Sequence, residues 1–209
     1  MRIVSVNLGR PREVEYEGEI VLTSIFKTPV EGRVRVAHLN IDGDEQSDLT
    51  VHGGRDKAVY AYPSEHYPFW RKELPSAELP WGVFGENLTT EGLTEDHVAP
   101  GDRLRIGDVE FAITTPRLPC FKLGIRFGRP DIIKRFMRSL KSGFYLAVLR
   151  EGTIGAGDPI ELVPAEGDRV TIREIFSLFL PNPDRRIAKR ASVLAGLPEN
   201  WRERMRESL

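Results

Sequence analysis

Arg103-Leu104-Arg105-Ile106-Gly107-Asp108-Val109-Glu110-Phe111-Ala112-Ile113 is the stretch on which the reading of the fold turns. Leu104 and Ile106, then Val109, Phe111 and Ile113, alternate with polar or small residues, the period of a strand with one buried face. Gly107-Asp108 between the two runs is a tight-turn signal, so the segment predicts a β-hairpin. Arg33-Val34-Arg35-Val36-Ala37-His38-Leu39 has the same period. Ala58-Val59-Tyr60-Ala61-Tyr62 and Phe144-Tyr145-Leu146-Ala147-Val148-Leu149 are rich in strand-forming side chains and predict central strands. Residues 1–8 predict a first strand. Up to about residue 173 such short runs are divided by glycine, proline and acidic turns, without regular strand–helix alternation. That pattern favours a barrel or sandwich, mainly β with peripheral helices.

Helices enter locally. Ser64 reads as the N-cap of a short helix carrying His66, Phe69 and Trp70. From Asp131 onward, Ile132, Ile133, Phe136, Met137 and Leu140 recur at helical spacing and predict one amphipathic helix after Cys120. Beyond Val170 the composition changes, and 174–180, 184–194 and 199–205 predict three short helices. Pro181-Asn182-Pro183 and Gly196-Leu197-Pro198 separate them. The expected division is a strand-rich domain over 1–170 and a three-helix module over 171–209.

The 30 basic and 31 acidic residues of the 209 nearly cancel, leaving a net charge of −1. Bulk attraction to nucleic acid or anionic lipid is therefore not expected. Arg185, Arg186, Lys189 and Arg190 would suit a helix-turn-helix reader, but no second basic cluster supports one, and a solvated face is the reading adopted. No apolar run approaches the ~20 residues needed to span a bilayer. One cysteine and no apolar leader lead to the expectation of a cytoplasmic protein.

Three segments carry chemistry. Cys120 lies in Thr115-Pro116-Arg117-Leu118-Pro119-Cys120-Phe121-Lys122, where two prolines stiffen the approach. Arg117 and Lys122 place cations near the thiol, which favours the thiolate and suits a soft metal. In Val51-His52-Gly53-Gly54-Arg55-Asp56-Lys57-Ala58-Val59, paired glycines let the backbone approach a ligand, and Arg55 and Lys57 are placed to neutralise a phosphate. The segment lacks the Gly-Lys-Ser/Thr ending of a P-loop. In Val83-Phe84-Gly85-Glu86-Asn87-Leu88-Thr89-Thr90, Glu86 and Asn87 offer an acceptor and an amide beside a glycine, which alone reads as an ordinary turn. The four histidines, 38, 52, 66 and 97, lack zinc-helix spacing, and one cysteine excludes the usual structural zinc sites. A cysteine–histidine nucleophile pair stays open. Asp42, Asp44, Glu45 and Asp48 around Gly43 lack EF-hand spacing and read as a solvated turn.

In this order, the three segments resemble the MOSC family, named for the C-terminal domain of molybdenum cofactor sulfurases. The resemblance runs from the first strand to about Val163, and the three helices resemble the accessory module of the YiiM-like branch. It implies a strand-rich barrel with a pocket for the molybdenum cofactor, in which Cys120 supplies a thiolate to the metal. It further implies that Arg55, Lys57, Arg117 and Lys122 meet the cofactor's anionic groups, and that His52 and Asn87 orient pterin or substrate. The implied activity is reduction of N-hydroxylated small molecules. Two alternatives are a non-enzymatic carrier of the cofactor and a metal-free thiol enzyme with Cys120 as nucleophile. A single cysteine leaves no iron–sulfur domain, so a separate electron-donor protein is implied, and without a pyridoxal-phosphate domain desulfurase activity is not expected. The tail is expected either to meet a partner through its basic face or to cover apolar barrel surface with Phe179, Trp201 and Met205.

Overall fold

The computed structural model describes residues 1–47 and 53–208. Among these, the strands are β1 (Arg2–Leu8), β2 (Arg12–Tyr16), β3 (Glu19–Thr23), β4 (Thr28–Pro29), β5 (Arg33–Ala37), β6 (Asn40–Ile41), β7 (Val59–Pro63), β8 (Leu88–Glu91), β9 (Arg103–Ile106), β10 (Val109–Pro116), β11 (Phe144–Arg150), β12 (Gly152–Gly155) and β13 (Glu161–Val163). The helices are α1 (Tyr67–Glu73), α2 (Phe121–Phe127), α3 (Ile132–Ser139), α4 (Ile172–Ser177), α5 (Arg185–Ala191) and α6 (Glu199–Glu207). The chain is mainly β with peripheral helices, as its sequence implies.

An eight-stranded sheet in the order β13-β9-β10-β11-β7-β8-β1-β4 curls into a half-barrel. A three-stranded sheet, β12-β5-β6, and a separate hairpin, β2-β3, complete the β structure. The β9–β10 hairpin forms as expected, with Val109 opposite Ile106 and Phe111 opposite Leu104, and Gly107 takes the left-handed conformation its turn requires. Its inward residues Leu104, Ile106, Phe111 and Ile113 are buried with Ile3, Val6, Val148 and, from the small sheet, Val36, Ile41 and Ile154. Full burial of each such side chain contributes about 1.5–3 kcal/mol.

A second core is aromatic: Tyr62, Tyr67, Trp70, Phe84 and Phe136 pack together on the other side of β7 residues. Gly143 fits against it only because it lacks a side chain; a Cβ there would lie 2.4 Å from the Ala61 carbonyl oxygen. Ser64 does not cap α1. It opens a 3-10 turn over Ser64–His66 that runs into the helix, and its hydroxyl faces Glu65 instead. A helix absent from the sequence reading, α2, begins directly after Cys120 and stops at Gly128, which is left-handed with φ 64°.

The C-terminal helices form where expected, with shifted ends. Thr171 and Glu174 make a reciprocal capping box that starts α4 two residues earlier than the pattern suggested. α4 contributes to all three cores: Ile172 to the first, Phe176 to the second, and Ile175 to a third made with Val170, Ala191, Leu197, Trp201 and Met205. Phe179 and Trp201 meet edge-to-face at 5.3 Å. Of the four basic residues on α5, Arg190 pairs with Asp168 and Glu174 and Arg186 with Asp184. No helix among the described residues is long and apolar enough to cross a membrane.

Candidate functional site

β10 ends at Pro116, where its ladder with β11 is interrupted between Ile113 and Pro116. In that gap Thr114 Oγ1 lies 2.6 Å from the Asp56 carbonyl oxygen and 3.1 Å from that of Tyr145. The hydroxyl thereby ties the glycine–cation turn to the strand that delivers the Pro-Arg-Leu-Pro-Cys run. Gly53 and Gly54 are both left-handed, at φ 107° and 79°, a backbone path that side chains with a Cβ resist. Lys57 ends the 3-10 turn Arg55–Lys57, and its ammonium lies 5.9 Å from the Tyr145 ring centre.

The middle segment arrives through β8. Asn87 exchanges bonds with β7: its N–H donates to the Tyr60 carbonyl at 2.8 Å, and its Oδ1 accepts from the Tyr60 N–H at 3.1 Å. Its Nδ2 donates to the Asn7 carbonyl at 3.4 Å. Glu86, fully buried, accepts from Tyr67 Oη, Thr89 Oγ1 and the N–H groups of Gly82 and Phe84. Burial pushes its carboxyl above the usual range, against the pull of those four donors. Glu86 is thus spent within the protein.

These pieces surround one cleft that opens to solvent. Cys120 lies in its wall, partly exposed, at the residue before α2. Lys57, Asn87, Arg117 and Lys122 line it too, so five of the expected site residues meet. Arg55 does not: it is exposed and outside the lining. His52 lies outside the described residues, as does Asp48. None of His38, His66 and His97 lines the cleft; His66 is buried and bonded to Glu95 at 2.6 Å.

Arg117 dominates the electrostatics. It is 5% exposed, its guanidinium sits 5.0 Å from the Tyr60 ring centre and 5.5 Å from that of Phe136, and no carboxylate among the described residues pairs with it. Burial opposes its charge, but Tyr60, Tyr145 and Cys120 hold its pKa above the ordinary value. Its Nη1 is buried without a hydrogen-bond partner among the described residues, and so is Ser24 Oγ in the same wall. Buried donors of this kind cost free energy unless something accepts from them. Lys122 Nζ donates to Ser47 Oγ at 3.0 Å. Burial keeps both Tyr60 and Tyr145 protonated, against the opposing pull of Arg117, and Tyr60 donates to the Ser142 carbonyl at 2.7 Å.

Sequence reasoning missed Ser24, Lys27, Asp44, Tyr60 and Tyr145. Asp44, read as part of a solvated turn, is 2% exposed; it accepts from the Gly9 N–H at 2.8 Å and pairs with buried Lys27. Burial lowers the Lys27 pKa, with Asp44 opposing. Asp42 and Glu45 are exposed as expected. The lining carries Lys27, Lys57, Arg117 and Lys122 against Asp44 and Glu45, an excess of positive charge. A thiol, unanswered buried donors and surplus cations fit a cofactor that combines a thiophilic metal with oxyanion groups. No group of three or more potential metal ligands of the His, Cys, Asp and Glu kinds occurs among the described residues.

A family model described as MOSC domain matches residues 48–161. The protein YflK of Bacillus subtilis (strain 168) is 38% identical over 202 residues, covering 96% of this chain and 90% of YflK. The crystal structure of YiiM from Geobacillus stearothermophilus superposes with a TM-score of 0.81 at 35% identity, covering 99% of this chain and 97% of that one. A protein of Gibberella moniliformis (strain M3125 / FGSC 7600) named Reductase is 37% identical over 164 residues, which are 77% of this chain and 29% of the fungal protein.

Proposed function

This chain belongs to the MOSC domain family, and on that premise we propose that it is a molybdenum-cofactor-dependent oxidoreductase of small N-hydroxylated compounds. The observation that carries the reading is the buried, unanswered Nη1 of Arg117 in the same cleft wall as Cys120. The name of the fungal relative, which shares most of this chain, supports the reaction class. The closed barrel and the division into 1–170 and 171–209 belong to the same proposal, as do the cytoplasmic location and a separate electron-donor protein.

When bound, the cofactor supplies two-electron oxygen-atom transfer. Cys120 Sγ is its protein ligand. Arg117 Nη1 and Ser24 Oγ donate to its oxyanion groups, and Lys57 and Lys122 balance their charge. Tyr145, kept protonated by burial, is a donor toward the substrate rather than a base. Asn87 holds the β7–β8 wall in place through its bonds to Tyr60. Overall, an N-hydroxyl compound takes up two electrons and two protons, its N–O bond breaks, and amine and water leave.

Protein purified from a host that makes the cofactor is expected to contain molybdenum near one atom per chain. Cys120→Ser should lose most of it, since a hydroxyl is a harder and less acidic ligand. Wild type free of molybdenum from such a host overturns the proposal. A reduced-dye assay on N-hydroxylated compounds then separates enzyme from carrier: metal-replete protein without turnover is a carrier. The thiol-enzyme reading is selected instead by iodoacetamide sensitivity together with full activity in molybdenum-free protein.

A further inference from the structure

A second cationic cluster adjoins the cleft and has no part in the proposal above. Arg12 on β2 and Arg126 on α2 both lie over the ring of Phe26, at 3.2 and 5.1 Å from its centre to each guanidinium carbon. Phe26 stands between Ile25 and Lys27, two cleft-lining residues, and Arg126 is one helical turn beyond Lys122, a third. The cluster is therefore one residue, and one helical turn, away from cleft-lining residues. Neither guanidinium has a hydrogen bond or an ion pair among the described residues, and Arg126 Nε is buried without a partner. Burial lowers the Arg126 pKa and the charge of Arg12 lowers it further, against a smaller upward pull from Glu86 and Tyr67.

Packing alone does not account for two like charges over one ring. One arginine on a phenylalanine is a favourable cation–π contact, but the second adds repulsion, which buried Glu86 offsets only in part at Arg126. An oxyanion accepting from both guanidiniums removes the repulsion and answers the orphaned Nε. Guanidinium groups suit this because they donate in parallel pairs to phosphate. Arg12 is exposed and Arg126 half-buried, so the site is open to a ligand arriving from solvent.

We propose that Arg12, Phe26 and Arg126 form a phosphate-binding subsite at the edge of the cleft, which takes the phosphate of a phosphorylated substrate whose N-hydroxyl group enters toward Cys120. The substrate assignment rests on the reductase reading; the phosphate site does not. Full-length, molybdenum-free protein is titrated calorimetrically with inorganic pyrophosphate, so that the result is independent of any turnover. Wild type should bind, and Arg12→Met and Arg126→Met should each weaken binding tenfold or more with an unchanged thermal midpoint. Arg12 lies on an exposed strand, so its variant is read even if Arg126→Met folds poorly. Equal binding by wild type and Arg12→Met, or none by wild type, overturns the subsite. The second arm uses metal-replete protein and compares an N-hydroxylated nucleoside monophosphate with its nucleoside. Arg12→Met should raise KM for the phosphorylated compound at least tenfold and leave that of the nucleoside unchanged. If the variants instead lose molybdenum, and wild type loaded with cofactor no longer binds pyrophosphate, the cofactor's own phosphate fills the site and the substrate assignment falls.

Discussion

Glu86 and Arg117 are both buried ionisable groups in the neighbourhood of Tyr60, yet they are treated oppositely by the fold. Every donor around Glu86 is answered: four of them converge on its two oxygens, from α1, the 82–84 loop and β8. Around Arg117 donors are left over, with Nη1 and the nearby Ser24 Oγ unpaired. The first arrangement fixes a loop and asks for nothing more. The second leaves donors in the cleft wall that no described residue answers. Burial of charge alone therefore does not mark a site in this molecule; unanswered donors gathered in the wall of a cleft beside a thiol do.

Substitutions separate the two. Glu86→Ala should have the largest effect, about 3 kcal/mol of lost stability, because it strands four buried donors; denaturant melts of the metal-free protein measure it. Glu86→Gln should cost less and reveal a pH signature. Burial raises the Glu86 pKa, so the folded protein holds its proton more readily than the unfolded chain does. Its contribution to stability is then fullest below the unfolded carboxylate value and declines as pH rises through the folded one. Glu86→Gln should abolish that decline, and an unchanged slope would contradict it. Arg117→Met should lower molybdenum retention tenfold or more while changing stability by less than about 1 kcal/mol, since it removes a buried charge that no carboxylate balances. A large loss of stability with full metal content would reverse the comparison.

Asn87 stands between these cases, lining the cleft but bonded on both sides to Tyr60 and Asn7. Asn87→Ala should cost about 1–2 kcal/mol in melts, with metal loss only in proportion to unfolding. Metal loss without destabilisation would move it to the ligand's side. The smallest effect is expected at α5. Arg185→Glu with Lys189→Glu should slow turnover about threefold with a protein electron donor and leave a small dye unaffected, since exposed charges steer encounters. Equal slowing with both donors would place the cause in the fold of the tail.

The strands were legible because one-sided burial writes itself as alternation, as in the β9–β10 hairpin and β5. The Cys120 loop and the glycine–cation turn were legible because their chemistry is contiguous. α2 was not: it is seven residues long, has Gly124 in its middle and follows a proline–cysteine pair, so neither period nor cap announced it. Lys27 and Asp44 were not, because they are 17 residues apart and Asp44 sits among exposed acids that share its sequence signal. Arg12 and Arg126 look like any surface arginine until the fold sets both on Phe26. In each case the missing information was a long-range pairing, which no local pattern contains.

The cleft wall takes some of its residues from each of the segments 23–27, 44–47, 53–60, 85–87 and 117–122, and adds Tyr145. β1, which carries Asn7 beneath it, pairs with β8 some eighty residues later, and β7 and β8 form a parallel pair. Contacts so distant in sequence close late, because the loops between them must first lose their freedom. A growing chain thus has no surface to offer a ligand of this cleft until more than two thirds of it has been synthesised. A ligand of this cleft thus meets a chain already long enough to close it, and the cleft stands empty in the interval before that ligand arrives. The fully answered cluster around Glu86 gives the empty form a rigid wall during that interval.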